Sequence, residues 1–330
     1  MCLYKYNVAV IAGGDSGEYE VSLRTADNIF NQLDREKFNP YLVHFKGADW
    51  SYTDEQGNKY AIDKNDFSLN IDGKKITFDV AFIAIHGTPG ENGKLQSYFE
   101  MIKQPYTGCG SFCSALTFNK YYCNVSAAAL GIPVSPSLHF YRTDEIDIER
   151  VERVCGYPCF VKSCNSGSSV GVTKVHKREE LESACEEAFK YDNQLMIEKF
   201  VRGHEYTCGV TSVYGDVRVL AITEVVATNE FYDYDAKYSA VGHKLITPAV
   251  LSQTDEEAIR RYSTRLFHHL DCKGVVRVDF IVSEDDGVAY FLEVNTIPGQ
   301  TALSIVPEQV RFNNLDLKEF YTKMVMEALQ

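Results

Sequence analysis

No apolar run in the 330-residue sequence approaches the ~20 residues that a membrane-spanning helix needs. Basic residues are also scarce: 33 Lys and Arg stand against 46 Asp and Glu, a formal net charge of −13. A general nucleic-acid binder needs a basic face, so that class is set aside, although a few Lys and Arg can still gather around an anionic ligand. The ten cysteines form no CxxC pair, HExxH is missing, and Cys109/Cys113 and Cys155/Cys159 are spaced CxxxC. Scattered singly and without an export signal, these cysteines read as reduced, mostly structural thiols of a cytoplasmic protein. The start, MCLYKYNVAVIAGGDSG, reads as a short apolar strand running into glycines rather than a signal peptide. Internal repeats and low-complexity segments are absent as well.

What remains is a globular composition, 45% hydrophobic with 19 Phe and 21 Tyr, long enough for two or three domains. Residues 1–108 alternate strand and helix: YNVAVIAG, an amphipathic helix over 20–33, then PYLVHF and FDVAFIAI. That alternation predicts an α/β region with parallel strands and helical crossovers, and the polar stretch 49–75 reads as a surface hairpin and loop. In 109–196 the pattern predicts helices over 114–130, 144–154 and 178–191, with strands at PVSPSLHF, YPCFVKS and VGVTKV. Residues 197–330 are strand-rich, interrupted by one long helix starting at Thr254-Asp255-Glu256-Glu257, with Ile259, Tyr262, Leu266 and Leu270 on one stripe.

Two glycine groups could carry chemistry. AGGDSGEYEVS lies between a strand and a helix start, where backbone N–H groups favour an anion, but it is not GxGxxG and carries Glu18 and Glu20. Two carboxylates there would repel a pyrophosphate; they could cap the helix or hold an ammonium group. FVKSCNSGSSVGVTKV sits between two strands, with Lys162 on the way in and no GKS or GKT, so it reads as a flap able to fold over a phosphate, or as an ordinary turn. Glu198, Lys199, Phe200 and Glu205 at the end of LMIEKF and in the next strand could read adenine and ribose, or be a solvated charge pair.

VRVDFIV and YFLEVNTIPG belong together. Arg277 and Asp279 are two apart on one strand, as are Glu293 and Asn295 on another, and a period of two places each pair on one face. If the strands pair, Asp279, Glu293 and the Asn295 amide oxygen offer three hard donors suited to Mg2+ on nucleotide phosphates. The competing reading is a salt-bridge ladder on a sheet face, for which Asn295 has no use.

Taken in order, VAVIAGGDSGEYEVSL, IHGTPGENGKLQSYFEMIKQPYTG, LTFNKYYCN, GSSVGVTKV, EFYDYDAKY, GVVRVDF and LEVNTIPGQT resemble the ATP-grasp carboxylate–amine ligases, and within them the D-alanine–D-alanine ligases. The resemblance implies a three-domain ATP-grasp fold: a Rossmann-like domain over 1–108, a central subdomain with the phosphate flap over 109–196, and a subdomain with the metal site over 197–330. It implies ATP as substrate, with Lys120, Lys162 and Lys237 on its phosphates, Glu198, Lys199, Phe200 and Glu205 around adenine and ribose, and Phe231 over the base. Asp279, Glu293 and Asn295 would hold two Mg2+ ions, or Mn2+. Glu18 and His86 would bind the first D-alanine, and Ser304 with the Ile305 backbone the carboxylate of the second. Ser168 and Tyr238 would close the site, while Arg277 and the Gly299 N–H stabilise an oxyanion. The resemblance also implies a cytoplasmic homodimer serving peptidoglycan synthesis. The chain departs from the pattern at Ser163, where proline is usual after the lysine, and at Gln300, where methionine is usual. The departures leave a ligase using D-lactate, D-serine or another amine as the alternative.

Overall fold

The computed structural model describes residues 4–167, 170–227 and 243–330. Three sheets organise them. The first has seven strands: β1 (Tyr6–Gly13), β2 (Phe38–Lys46), β3 (Asp49–Thr53), β4 (Lys59–Asp63), β5 (Ser68–Ile71), β6 (Lys74–Thr77) and β7 (Val80–Ile83), in the order β6-β5-β4-β3-β2-β1-β7. Only β1 pairs in parallel, with β2 and β7, so the expected parallel unit is real but small. β1 is buried over Val8 to Gly13, as a strand covered on both faces should be. Helix α1 (Tyr19–Gln32) makes the crossover and buries Val21, Ala26 and Ile29. The stretch expected as a surface hairpin and loop does contain hairpins, but it is more ordered than that: it builds β3 to β6, four antiparallel strands that extend the sheet. Aromatic packing anchors them, with Phe45 stacked on Trp50 at 4.0 Å. Helix α2 (Lys94–Ile102), closing this region, has no counterpart in the sequence reading.

The single helix expected over 114–130 is two, α3 (Ser111–Phe118) and α4 (Lys120–Ala129). Asn119 breaks it with ψ of 105° and caps α4, its side-chain oxygen accepting the Tyr122 N–H at 3.1 Å. The second sheet follows, fully antiparallel in the order β10-β9-β11-β8: β8 (Ser137–Tyr141), β9 (Cys159–Ser163), β10 (Val172–Val175) and β11 (Gln194–Lys199). Helices α5 (Ile148–Val154) and α6 (Leu181–Ala188) cover it through Val151, Leu181 and Cys185. β11 runs past residue 196, so the second sheet extends to Lys199.

The third sheet is antiparallel, with β12 (Gly203–Thr211), β13 (Arg218–Ala227), β14 (His243–Ile246), β15 (Val275–Ser283) and β16 (Ala289–Asn295) in the order β14-β13-β12-β15-β16. One face packs on α7 (Gln253–His269), α3 and α4 through Val276, Val278, Phe280, Phe291 and Val294. Phe280 and Phe291 are fully buried, each contributing about 2–3 kcal/mol of hydrophobic stabilisation. The N-cap of α7 is Ser252, which accepts the Asp255 N–H, two residues before the expected start. Two helices the sequence reading passed over finish the fold: α8 (Ile305–Phe312) and α9 (Leu317–Ala328). Phe320, Tyr321, Met324 and Val325 of α9 join Val8, Val80 and Phe82 in one core, tying the last helix to the first sheet.

Candidate active site

β15 and β16 pair with Arg277 opposite Asn295 and Asp279 opposite Glu293, and then the register shifts so that Phe280 lies opposite Phe291. Leu292 is the extra residue of that bulge. The bulge resolves a conflict that strict alternation would create, since Phe291, Glu293 and Asn295 would otherwise share a face. With it, Phe291 turns into the helical core, while the carboxylate and the amide stay opposite Asp279 and Arg277. Asn295 Nδ2 donates to Asp279 Oδ2 at 3.0 Å and to Glu293 Oε1 at 3.3 Å, so the three side chains meet at one point. Arg277 forks onto Asp279, Nε to Oδ1 at 2.9 Å and a terminal nitrogen to Oδ2 at 2.8 Å. The Thr207 hydroxyl also donates to Asp279. The ion pair of the competing reading is therefore present, beside two carboxylates gathered around the Asn295 amide nitrogen. Glu205 lies on β12 two residues from Thr207, and β12 is β15's neighbour.

The next group of candidate residues comes from the second sheet and α4. Lys162 on β9 pairs with Glu198 on β11, whose side chain is only 4% exposed, so this is a buried pair and not a solvated one. The Asn124 amide donates to the other oxygen of Glu198 at 3.4 Å. Lys199 is exposed, its backbone carbonyl accepting from Ser135 at 2.7 Å. Phe200 lies under the Lys174 ammonium at 4.3 Å and against Phe160 at 5.9 Å. Because Asn119 ends one helix and starts the next, Lys120 sits at the first position of α4, and its ammonium donates to the Ser166 carbonyl of the flap. Ser163, where proline is usual, fastens the flap base: its N–H donates to Gly171 O at 3.0 Å and its hydroxyl pairs with that of Ser166 at 2.8 Å.

The first glycine loop faces this flap. Gly13 and Gly14 have φ of 106° and 98°, and a Cβ on Gly13 would lie 2.3 Å from Phe45 O, so the turn requires glycine. Glu18 is buried at the N-cap of α1, but its side chain makes no capping hydrogen bond. Its carboxylate points instead between Gly87 and the flap glycine: a Cβ on Gly167 would stand 2.6 Å from Glu18 Oε2, and one on Gly87 3.2 Å from it. His86 is buried beside it, with Nε2 2.9 Å from the Thr25 hydroxyl and Nδ1 2.9 Å from Ile297 O. Burial pushes its imidazole below the usual range, and a carbonyl can only accept, so Nδ1 carries the proton and Nε2 accepts from Thr25. Glu91 belongs here too, though the sequence reading passed over it. Its carboxylate accepts the Gly87 N–H at 2.7 Å, and burial, with the Glu18 charge adding, pushes it up to about 8. An acid inside the Gly-Pro-rich GTPGENG was the available signal. The Arg277 guanidinium acts on both His86 and Glu91, so the third sheet and the first-sheet loops share one electrostatic neighbourhood.

The Pro-Gly bend after β16 completes the arrangement. Gly299 packs against Ser304, where a Cβ would lie 2.9 Å from Oγ. Ser304 is the N-cap of α8 and Ile305 its first residue; Ser304 Oγ accepts the Thr301 N–H at 3.0 Å. This places helical N–H groups at the bend, a setting that favours a carboxylate. Gln300 is buried, accepting from the Tyr321 hydroxyl at 3.2 Å, while its backbone carbonyl accepts from Asn28 at 2.6 Å. Its amide thus holds the bend against α9, and its backbone holds it against α1. Ser168, Phe231, Lys237 and Tyr238 lie outside the described residues.

The comparisons with known proteins agree with this geometry. The family described as D-ala D-ala ligase N-terminus matches residues 7–109, and that described as D-ala D-ala ligase C-terminus matches 127–326. The chain is 44% identical, over 97% of its length and 98% of the relative's, to the D-alanine–D-alanine ligase of Phocaeicola vulgatus. It is 43% identical to that of Parabacteroides distasonis, over 99% and 98%. Among solved structures, D-alanyl-alanine synthetase A from Vibrio cholerae superposes with a TM-score of 0.90 at 33% identity, covering 100% of this chain and 99% of the other. VanG D-Ala:D-Ser ligase from Enterococcus faecalis gives 0.89 at 29% identity, covering 98% and 100%. With relatives above 40% identity along nearly the whole chain, and a strand pair that brings Asp279, Glu293 and Asn295 to one point, this protein belongs to the D-alanine–D-alanine ligase family.

Proposed function

We propose that the protein joins two D-alanines to D-alanyl-D-alanine at the expense of ATP, releasing ADP and phosphate. The observation that carries this reading is the meeting of Asp279, Glu293 and Asn295 on one sheet face, next to an arginine and across from a buried carboxylate suited to an ammonium. In this reading Lys120 and Lys162 bind the ATP phosphates, joined by Lys237. Glu198, Lys199, Phe200 and Glu205 line the nucleotide pocket, and Phe231 closes it. Glu18 takes the ammonium of the first D-alanine, with neutral His86 behind it. The carboxylate of that D-alanine attacks the γ-phosphorus, the bond to ADP breaks, and D-alanyl phosphate forms. The neutral amine of the second D-alanine then attacks the acyl carbon. Arg277 and the Gly299 N–H stabilise the oxyanion, and phosphate departs as an amine proton is lost. Ser304 and the Ile305 N–H hold the second carboxylate. Ser168 and Tyr238 close the site, because an acyl phosphate must be shielded from water.

Asp279, Glu293 and the Asn295 amide form the oxygen-rich donor set that fits two Mg2+ ions, or Mn2+, whose contribution when bound is to neutralise the phosphate charges. The same reading makes the enzyme a cytoplasmic homodimer that supplies peptidoglycan precursors and is divided near residue 108 and after β11 ends at Lys199. Among the described residues no helix is long and apolar enough to cross a membrane. The test is phosphate release with ATP and D-alanine, with the product identified by mass, and parallel arms in which D-serine or D-lactate is added. D-alanyl-D-alanine as main product is expected; phosphate release independent of D-alanine, or a mixed product whenever the second acceptor is present, would overturn the reading.

A further inference from the structure

Three cysteines converge: Cys109 and Cys113, four residues apart, and Cys272, far along the chain. Cys109 lies just after the last residue of the first-sheet region, Cys113 in the first turn of α3, and Cys272 in the turn between α7 and β15. All three are buried, and their sulfurs lie within 4.8 Å of one another. Cys113 Sγ and Cys272 Sγ are 3.7 Å apart. Four-coordinate zinc with Zn–S bonds of about 2.3 Å has sulfurs about 3.8 Å apart, so this edge already has the length a bound ion imposes. The Lys273 N–H, 3.4 Å from Cys109 Sγ, adds a backbone donor to that sulfur.

We propose that Cys109, Cys113 and Cys272 form a site for one thiolate-binding d10 metal ion, Zn2+ or Cu+. Among the described residues no fourth Cys, His, Asp or Glu joins the group, which suits three-coordinate Cu+ or Zn2+ with a fourth position open to a small ligand. Binding displaces the thiol protons. The ion staples the segment leaving the first sheet to the root of β15, two residues before Gly274, whose Cβ would come within 3.1 Å of Gly108 Cα. That root leads directly to Arg277 and Asp279.

The test titrates reduced, metal-stripped full-length protein with Cd2+ and reads the thiolate-to-metal charge-transfer band, to which carboxylate-bound Cd2+ contributes nothing. One saturating equivalent is expected. Cys113→Ala and Cys272→Ala should each lower Cd2+ affinity by more than the about 100-fold that an outer-shell partner costs, while Cys185→Ala leaves it unchanged. Zn2+ and Cu+ are then added as competitors, and the one that displaces Cd2+ at the lower concentration identifies the ion. Alkylation mapping of the wild type covers variants that fail to fold: bound Cd2+ should protect Cys109, Cys113 and Cys272 and no other thiols. No saturable band, a band surviving in Cys272→Ala, displacement by neither ion, or unselective protection would each overturn the proposal.

Discussion

Asp279 and Glu293 stand on paired strands, whereas Glu18 and Glu91 stand in glycine-rich loops, and the two sets of carboxylates are held by different kinds of partner. Asp279 receives a forked arginine, a threonine hydroxyl and an amide, all from the third sheet. Glu91 has the Gly87 N–H and the neighbouring Glu18 charge, and it responds by holding a proton to about 8. Under the proposed function the strand set receives a cation that brings charge with it, while in the loops a proton on Glu91 relieves its repulsion with Glu18. What separates them is geometry: a sheet delivers side chains at fixed spacing, and a loop delivers backbone donors.

The largest effect that would sharpen this contrast is Glu293→Gln, which removes a strand carboxylate while keeping shape and the contact with Asn295. ATP turnover should fall by about 10³-fold with an unchanged circular dichroism spectrum; near-normal phosphate release would break the assignment of this strand pair to phosphate chemistry. Next comes Glu18→Gln. Removing one partner of a buried charge pair costs about 3–5 kcal/mol, so the KM for the first D-alanine should rise by at least about 100-fold. A change confined to the second-substrate KM would reassign the loop.

Glu91→Gln tests the proton itself. Its folded value of about 8 lies above the ordinary 4.5, so between those values the folded protein binds more protons than the unfolded chain. Stability should therefore decline as pH rises through that window, and the glutamine variant should flatten the slope. Urea denaturation at pH 5, 6.5 and 8, chosen to sample that window, reads this directly; parallel slopes in both proteins would refute the coupling. The smallest effect is Asn119→Ala, losing one cap and about 1 kcal/mol in the same assay, with a weaker ATP affinity because Lys120 no longer starts a helix.

Much of the site was legible because strands write their faces into the sequence. Arg277 with Asp279, and Glu293 with Asn295, could be placed on common faces from spacing alone, and the structure puts them together. The Leu292 bulge was not legible, since it depends on how Phe291 packs against Phe280 from another strand. The helix break at Asn119 was hidden for a related reason: the apolar pattern continues across it, and a single asparagine decides the boundary through its own hydrogen bond. Strands β3 to β6 looked like no more than a hairpin and loop because polar residues fill their outward positions, while Trp50, Tyr52, Ile62 and Leu69 pack against the core. α9 was missed because its apolar stripe acquires meaning only against the first sheet.

The offset at Leu292 makes the length of this strand as informative as its composition. Removing Leu292 would close the bulge and still leave Phe291 and Glu293 on opposite faces, whereas keeping Leu292 in a strand of simple alternation would swing Glu293 toward the phenylalanine-lined interior and bury its charge. A residue gained or lost between Glu293 and Asn295 is a different matter, because it would send to opposite faces two side chains that one face of the sheet now brings together.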